Sequence, residues 1–121
     1  MPEVGQMNPQ KKTFEKPDEV KRTPKQRTEM VNFGGRTVAR MVYEPGWQWS
    51  KDMKPIAGTK SCQRHHYNLV LSGRLRVRMD DGTEMEFGPG DLVDVPPGHD
   101  GWVVGSEPAV WLDLGEPPKS K

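Results

Sequence analysis

The stretch Tyr67–Gly98, YNLVLSGRLRVRMDDGTEMEFGPGDLVDVPPG, decides how this chain folds. Within it Leu75, Val77 and Met79 alternate with Arg74, Arg76 and Arg78, the period of two that puts one set on an apolar face and the other in solvent. Asp81-Gly82 supplies the turn that sends the chain back through Thr83–Phe87, and GPGD (Gly88–Asp91) marks a further turn before the short run LVDV (Leu92–Val95). The arginine face reads as solvated.

Outward from this stretch the texture repeats. Upstream, Gly34-Gly35 separates two strand-like runs and supplies the positive φ angles of a tight hairpin. Downstream, the loop PPGHDG leads to WVVG and AVWLDL, two last strands before a proline-rich tail. Nowhere do apolar residues recur at helical spacing over three turns. Eight or nine short strands with turn signals between them describe a sandwich or barrel, so the expected class is all-β. Leu69, Leu71, Leu75, Val77, Val93 and Val95 are expected to carry its core.

With 121 residues the chain has room for one core. Residues 1–27 hold prolines at 2, 9, 17 and 24 among Lys, Glu and Asp, with little apolar surface to offset ordering entropy; they are expected to form a flexible arm, followed by a barrel over 28–115 and a tail over 116–121. Lys+Arg 18 against Asp+Glu 17 leaves a net charge of +1, no field that recruits nucleic acid or an anionic membrane surface. One cysteine cannot close an intrachain disulfide and the first residues lack the apolar run of a signal peptide, so a soluble, cytoplasmic protein is expected.

The order of motifs resembles the cupin superfamily, the small jelly-roll barrels. YNLVLSG (Tyr67–Gly73) is similar to the end of the family's first motif, G-x5-H-x-H-x3,4-E-x6-G, and GDLVDVPPG (Gly90–Gly98) to the start of its second, G-x5-P-x-G-x2-H-x3-N. The resemblance covers roughly residues 34–114 and includes PGWQWS, PIAGT and WVVG, which look like a subgroup of bacterial cupins whose reaction is uncharacterised. It implies a single-domain cupin jelly-roll barrel, and a homodimer formed through sheet faces and edge strands. The usual cage of three histidines and one glutamate is absent. Counting back from Gly73, the family's glutamate falls on His66 and its second histidine on Cys62 or Ser61; in the second motif the family's histidine falls on Gly101, with His99 two residues early.

Alternation still places Cys62, Arg64, His66 and Asn68 on one face, which the family alignment turns inward, with His65 and Tyr67 opposite. Cys62 and His66, joined by His99 from the PPGHDG loop, make a candidate metal set if the strand bends; thiolate and imidazole suit zinc, with iron the alternative. The competing reading is structural: a free cysteine serves as an apolar filler, and a barrel histidine as a partner of a backbone carbonyl. Trp47 and Trp49, two apart, belong to the core or form a wall of a ligand pocket, and the charged loop SKDMKPIAGTK (Ser50–Lys60) sits where barrel loops often cover a site.

Three functions remain open on these residues. The first is a small-molecule-binding barrel whose ligand meets Trp47, Trp49, Arg64, His66, Asn68 and His99. The second is a metal-dependent enzyme acting on a small organic acid or sugar derivative at Cys62, His66 and His99. The third is a solid dimeric interaction module with Tyr67, Leu69 and Leu71 outward. Binding of a small molecule is the reading adopted.

Overall fold

Turn residues set the strand boundaries in the computed structural model, which describes residues 8–115. β1 (Glu19–Thr23) turns at Pro24-Lys25, where Lys25 takes a φ of 58°, into β2 (Gln26–Phe33); the Gly34-Gly35 pair, with φ of 60° and 77°, then closes β2 onto β3 (Arg36–Tyr43). A single π-helical turn (Trp49–Met53) and the one-turn helix α1 (Lys54–Ala57) follow. The remaining elements are β4 (His66–Ser72), β5 (Arg74–Met79), β6 (Glu84–Phe87), β7 (Leu92–Val95), β8 (His99–Val104) and β9 (Ala109–Asp113).

The strands form two antiparallel sheets, β1-β2-β3-β9-β4-β7 and β6-β5-β8, the all-β arrangement of a jelly roll. The chain crosses from one sheet to the other at Gly73, which has a φ of 72°; a side chain there would run into the backbone of Pro108 and Ala109. Between the sheets Met41, Val70, Val93 and Trp111 are almost wholly buried, with Leu75 and Val77 against them.

Two members of the expected core lie elsewhere. Leu69 is only partly buried and Leu71 is 43% exposed, because Asn68 and Val70 take the inward positions of β4 and a register shift at Val70/Ser72 keeps Leu71 outside. Leu92, Leu69 and Leu112 are cross-strand neighbours on that outer face.

The sheet also reaches further back than the arm assigned to residues 1–27. The charged segment Glu19–Thr23 has no apolar alternation to announce it, yet its backbone pairs along β2 from Glu19↔Met30 to Thr23↔Gln26. Ahead of it Lys12 Nζ donates to the Asn32 carbonyl at 2.6 Å, and Phe14 lies 4.9 Å beneath the Arg40 guanidinium. Residues 1–7 and the tail 116–121 lie outside the described residues. The long loop Ser50–Lys60 begins in the π-helical turn, where Asp52 accepts a hydrogen bond from the Gln48 backbone N–H at 2.9 Å. The arginine face of β5 is paired as well as solvated: Arg74 bonds Glu86 at 2.6 Å and Arg76 bonds Glu84 at 2.7 Å across the β5–β6 hairpin.

On the outer side of β2, Glu29 is buried between Arg27 at 2.9 Å and Arg40 at 2.7 Å. Burial alone would raise its pKa, but the bonds from Arg27 and Arg40 outweigh that and hold it below the ordinary 4.5. Its contribution is therefore present above pH 4.5 and is lost as pH falls through the lower folded value. Glu29→Ala should cost about 1–3 kcal/mol at pH 7 in denaturant titrations, and the gap to the parent should shrink at acid pH. A gap that stays constant down to about pH 2 would contradict this assignment. Leu92, 73% exposed, Leu71 and Leu114 leave apolar surface uncovered, which the homodimer expected from the resemblance would cover. Light scattering at micromolar concentration should then report twice the 13.7 kDa chain mass, and a monomer would remove that expectation.

Candidate metal centre

Two backbone bridges bring distant segments of the chain to β8. Cys62 N–H donates to the His99 carbonyl at 2.8 Å while Gly98 N–H donates to the Cys62 carbonyl at 2.7 Å, so these two residues face each other across an isolated bridge. Gln48 pairs with Trp102 in the same way, and Val103 N–H donates to the Trp47 carbonyl at 3.1 Å. Asp100 locks this second bridge, its carboxylate accepting from the Gln48 side-chain amide at 3.1 Å and from the Ser50 backbone N–H at 3.0 Å. Trp47 and Trp49 are thereby fixed as a buried wall against β8.

Residues Gln63–His65 leave regular strand pairing, and this bend lets Cys62 and His66 approach although they are four positions apart. Cys62 Sγ lies 3.9 Å from His66 Nε2, and the His66 and His99 rings meet edge to face with centroids 5.0 Å apart. One ligand atom from each of Cys62, His66 and His99 falls within 4.8 Å of the others. Tetrahedral bonds of about 2.0–2.3 Å set ligand atoms roughly 3.3–3.8 Å apart, so a closure of about 1 Å, within reach of side-chain rotation, brings this set to a metal.

The protonation chemistry suits ligation. Desolvation inside the barrel, with smaller repulsion from His99 and Arg64, lowers the His66 pKa to about 3. Burial likewise lowers that of His99, the Pro96 carbonyl partly opposing it. Both rings are neutral at pH 7. His99 Nδ1 lies 2.8 Å from the Pro96 carbonyl oxygen, which can only accept, so Nδ1 carries the proton and Nε2 keeps its lone pair free. That is the arrangement by which a second partner orients a ligating imidazole. His66 Nδ1, by contrast, is buried with no hydrogen-bond partner among the described residues, a desolvation cost that remains whether or not Nε2 binds a metal. Burial pushes the Cys62 thiol up, with only partial opposition from the Arg64 backbone and charge. A metal would reverse this by binding the thiolate.

These three residues form one wall of a cavity of about 70 Å³ between the sheets. A water's share of the liquid is about 30 Å³, so the space admits an ion with a small ligand group and not a solid apolar core. Trp47, Trp49, Arg64, His66 and His99, all expected at a ligand site, line it together with Cys62. Asn68 does not: it is 2% exposed on β4, beyond the cavity between Val93 and Asp113. Sequence reading missed Gln26, Tyr43 and Trp111, which also line the cavity. Trp111 was visible as an alternating aromatic in AVWLDL, and Tyr43 as the end of an alternating run with Met41, but alternation names a face and not its neighbour across the barrel. His65 stands outside the cavity, 2.6 Å from Asp94. Among the described residues no helix is long and apolar enough to cross a membrane.

Residues 52–111 match the family described as EutQ-like cupin domain. Among solved structures the chain is similar to a protein of unknown function from Acidithiobacillus ferrooxidans, with 18% identity, a TM-score of 0.59, and coverage of 79% of this chain and 85% of that one. It is similar also to a protein of unknown function from Rhizobium leguminosarum, with 23% identity, a TM-score of 0.55, and coverage of 91% and 100%. The polyketide cyclase RemF from Streptomyces resistomycificus shares 19% identity at a TM-score of 0.52 over 79% of this chain and 70% of its own. At these identities the likeness is one of fold. No curated protein matches the chain.

The burial of Cys62 has a direct consequence. A thiol reagent at pH 7.5 should modify it at least about tenfold more slowly in the folded, metal-free protein than in urea, since burial withholds both access and thiolate. Equal rates would show that Cys62 is open to solvent.

Proposed function

The chain belongs to the cupin family through a EutQ-like cupin domain, and on that premise we propose that it binds a small molecule inside its barrel at a divalent metal held by Cys62, His66 and His99. The observation that carries the reading is the convergence of three chemically suited ligand atoms within 4.8 Å at a cavity wall. One sulfur and two nitrogens favour zinc, with iron(II) the alternative. A bound ion supplies a Lewis-acidic position that a ligand oxygen can occupy.

The chain's own residues do the rest. His99 is held in the correct tautomer by Pro96, and Cys62 is pinned by its bridge to His99. Trp47, Trp49 and Trp111 exclude water and give a small organic ligand an apolar surround. Catalysis at this centre is the second reading, favoured by a set of three protein ligands, which leaves a coordination position open. Against it, no Asp or Glu among the described residues lines the cavity to serve as a general base. The cavity itself argues against a solid interaction module.

Elemental analysis of protein purified without an affinity tag or chelator should find about one equivalent of zinc or iron per chain. His66→Ala should lose that metal and keep the fold by circular dichroism, because the core rests on Val70, Leu75, Val93 and Trp111. Parent protein that contains no metal and takes up none when zinc or iron(II) is supplied would overturn the proposal.

A further inference from the structure

Among the described residues Arg64 is the one charged side chain that lines the cavity, and no acid lines it. Elsewhere the arginines beside acidic neighbours are spoken for: Arg27 and Arg40 by Glu29, Arg74 by Glu86, Arg76 by Glu84. Among the described residues Arg64 makes no ion pair and no side-chain hydrogen bond, although it contributes to a wall whose other polar side chains, Gln26, Tyr43, Cys62, His66 and His99, are neutral groups. It is exposed while lining an interior cavity, which places it at the mouth.

Two donors of the cavity wall also lack an acceptor among the described residues. The indole N–H groups of Trp47 and Trp111, both cavity-lining residues, are buried without an acceptor among the described residues. A divalent ion bound by one thiolate and two neutral imidazoles would leave the centre with a net positive charge, and Arg64 adds to it. A wall of this composition repels cations and gives a neutral ligand no charge match for the guanidinium.

From this arrangement we infer that the small molecule is a carboxylate, one end of it on the metal centre of Cys62, His66 and His99 and its charge matched by the Arg64 guanidinium. The planar fork of a guanidinium fits a carboxylate in a bidentate pair. The four aromatic residues Tyr43, Trp47, Trp49 and Trp111 suit an organic acid, whose carbon needs apolar contact, better than an inorganic anion. The inference rests on the metal centre proposed above and names the class of its ligand.

The test uses the full chain loaded with cobalt(II), whose visible absorption reports the ligands around it, titrated with acetate and separately with the isosteric neutral acetamide. Acetate should change the spectrum and acetamide should not. Arg64→Gln should keep the cobalt spectrum of the parent before acetate is added and need at least about tenfold more acetate for half the change. If acetamide acts as well as acetate, or Arg64→Gln responds like the parent, the carboxylate inference is overturned and the metal centre stands. If the parent binds no cobalt(II), the metal centre fails and the inference falls with it.

Discussion

The antiparallel bridge between Cys62 and His99 is the contact on which the rest of this barrel's interior depends. It ties the segment leading into β4 to the first residue of β8, and so links the two sheets at the end where the cavity lies. Because the bonds are between backbone groups, they fix the two side chains relative to each other whatever else occupies the space. The bend at Gln63–His65 then decides which residue of β4 meets them, and that residue is His66. The second bridge, Gln48 to Trp102, sets the aromatic wall by the same means, with Asp100 as its bracket.

Building such a site costs stability. His66 loses its hydration with no polar partner for Nδ1, and Trp47 and Trp111 each bury an indole N–H without an acceptor among the described residues. A barrel of this size could fill the space with aliphatic side chains; instead Gly101 leaves its stretch of wall without a side chain. Unpartnered polar groups around a cavity are the ground for the proposal that a ligand completes the site. In the resemblance to the family's motifs, its customary ligand positions carry other residue types here: the glutamate falls on His66, a histidine on Cys62 or Ser61, and the later histidine on the bare Gly101.

Much of this was legible in the sequence, for reasons that also mark where reading stopped. Gly34-Gly35 and Asp81-Gly82 announce hairpins because few other residues take their turn conformations, and period-two alternation in RLRVRM gives the faces of β5. Cys62, His66 and His99 could be named as a set because their chemistry is distinctive, although their meeting depended on a bend that no periodicity encodes. Leu69 and Leu71 read as core because they are apolar, although alternation with the inward Asn68 turns them outward, which is where β4 holds them. β1 escaped notice because an edge strand of charged residues is held by backbone bonds rather than by an apolar face. The π-helical turn and α1 are too short for any helical period to register.

A barrel that closes on one thiol and two imidazoles makes a definite statement about bond lengths. X-ray absorption fine structure at the zinc edge of the zinc-loaded protein tests it most directly. The account requires one sulfur at about 2.3 Å and two imidazole nitrogens at about 2.0–2.1 Å in the first coordination shell. A shell without sulfur, made only of oxygen and nitrogen, would contradict it.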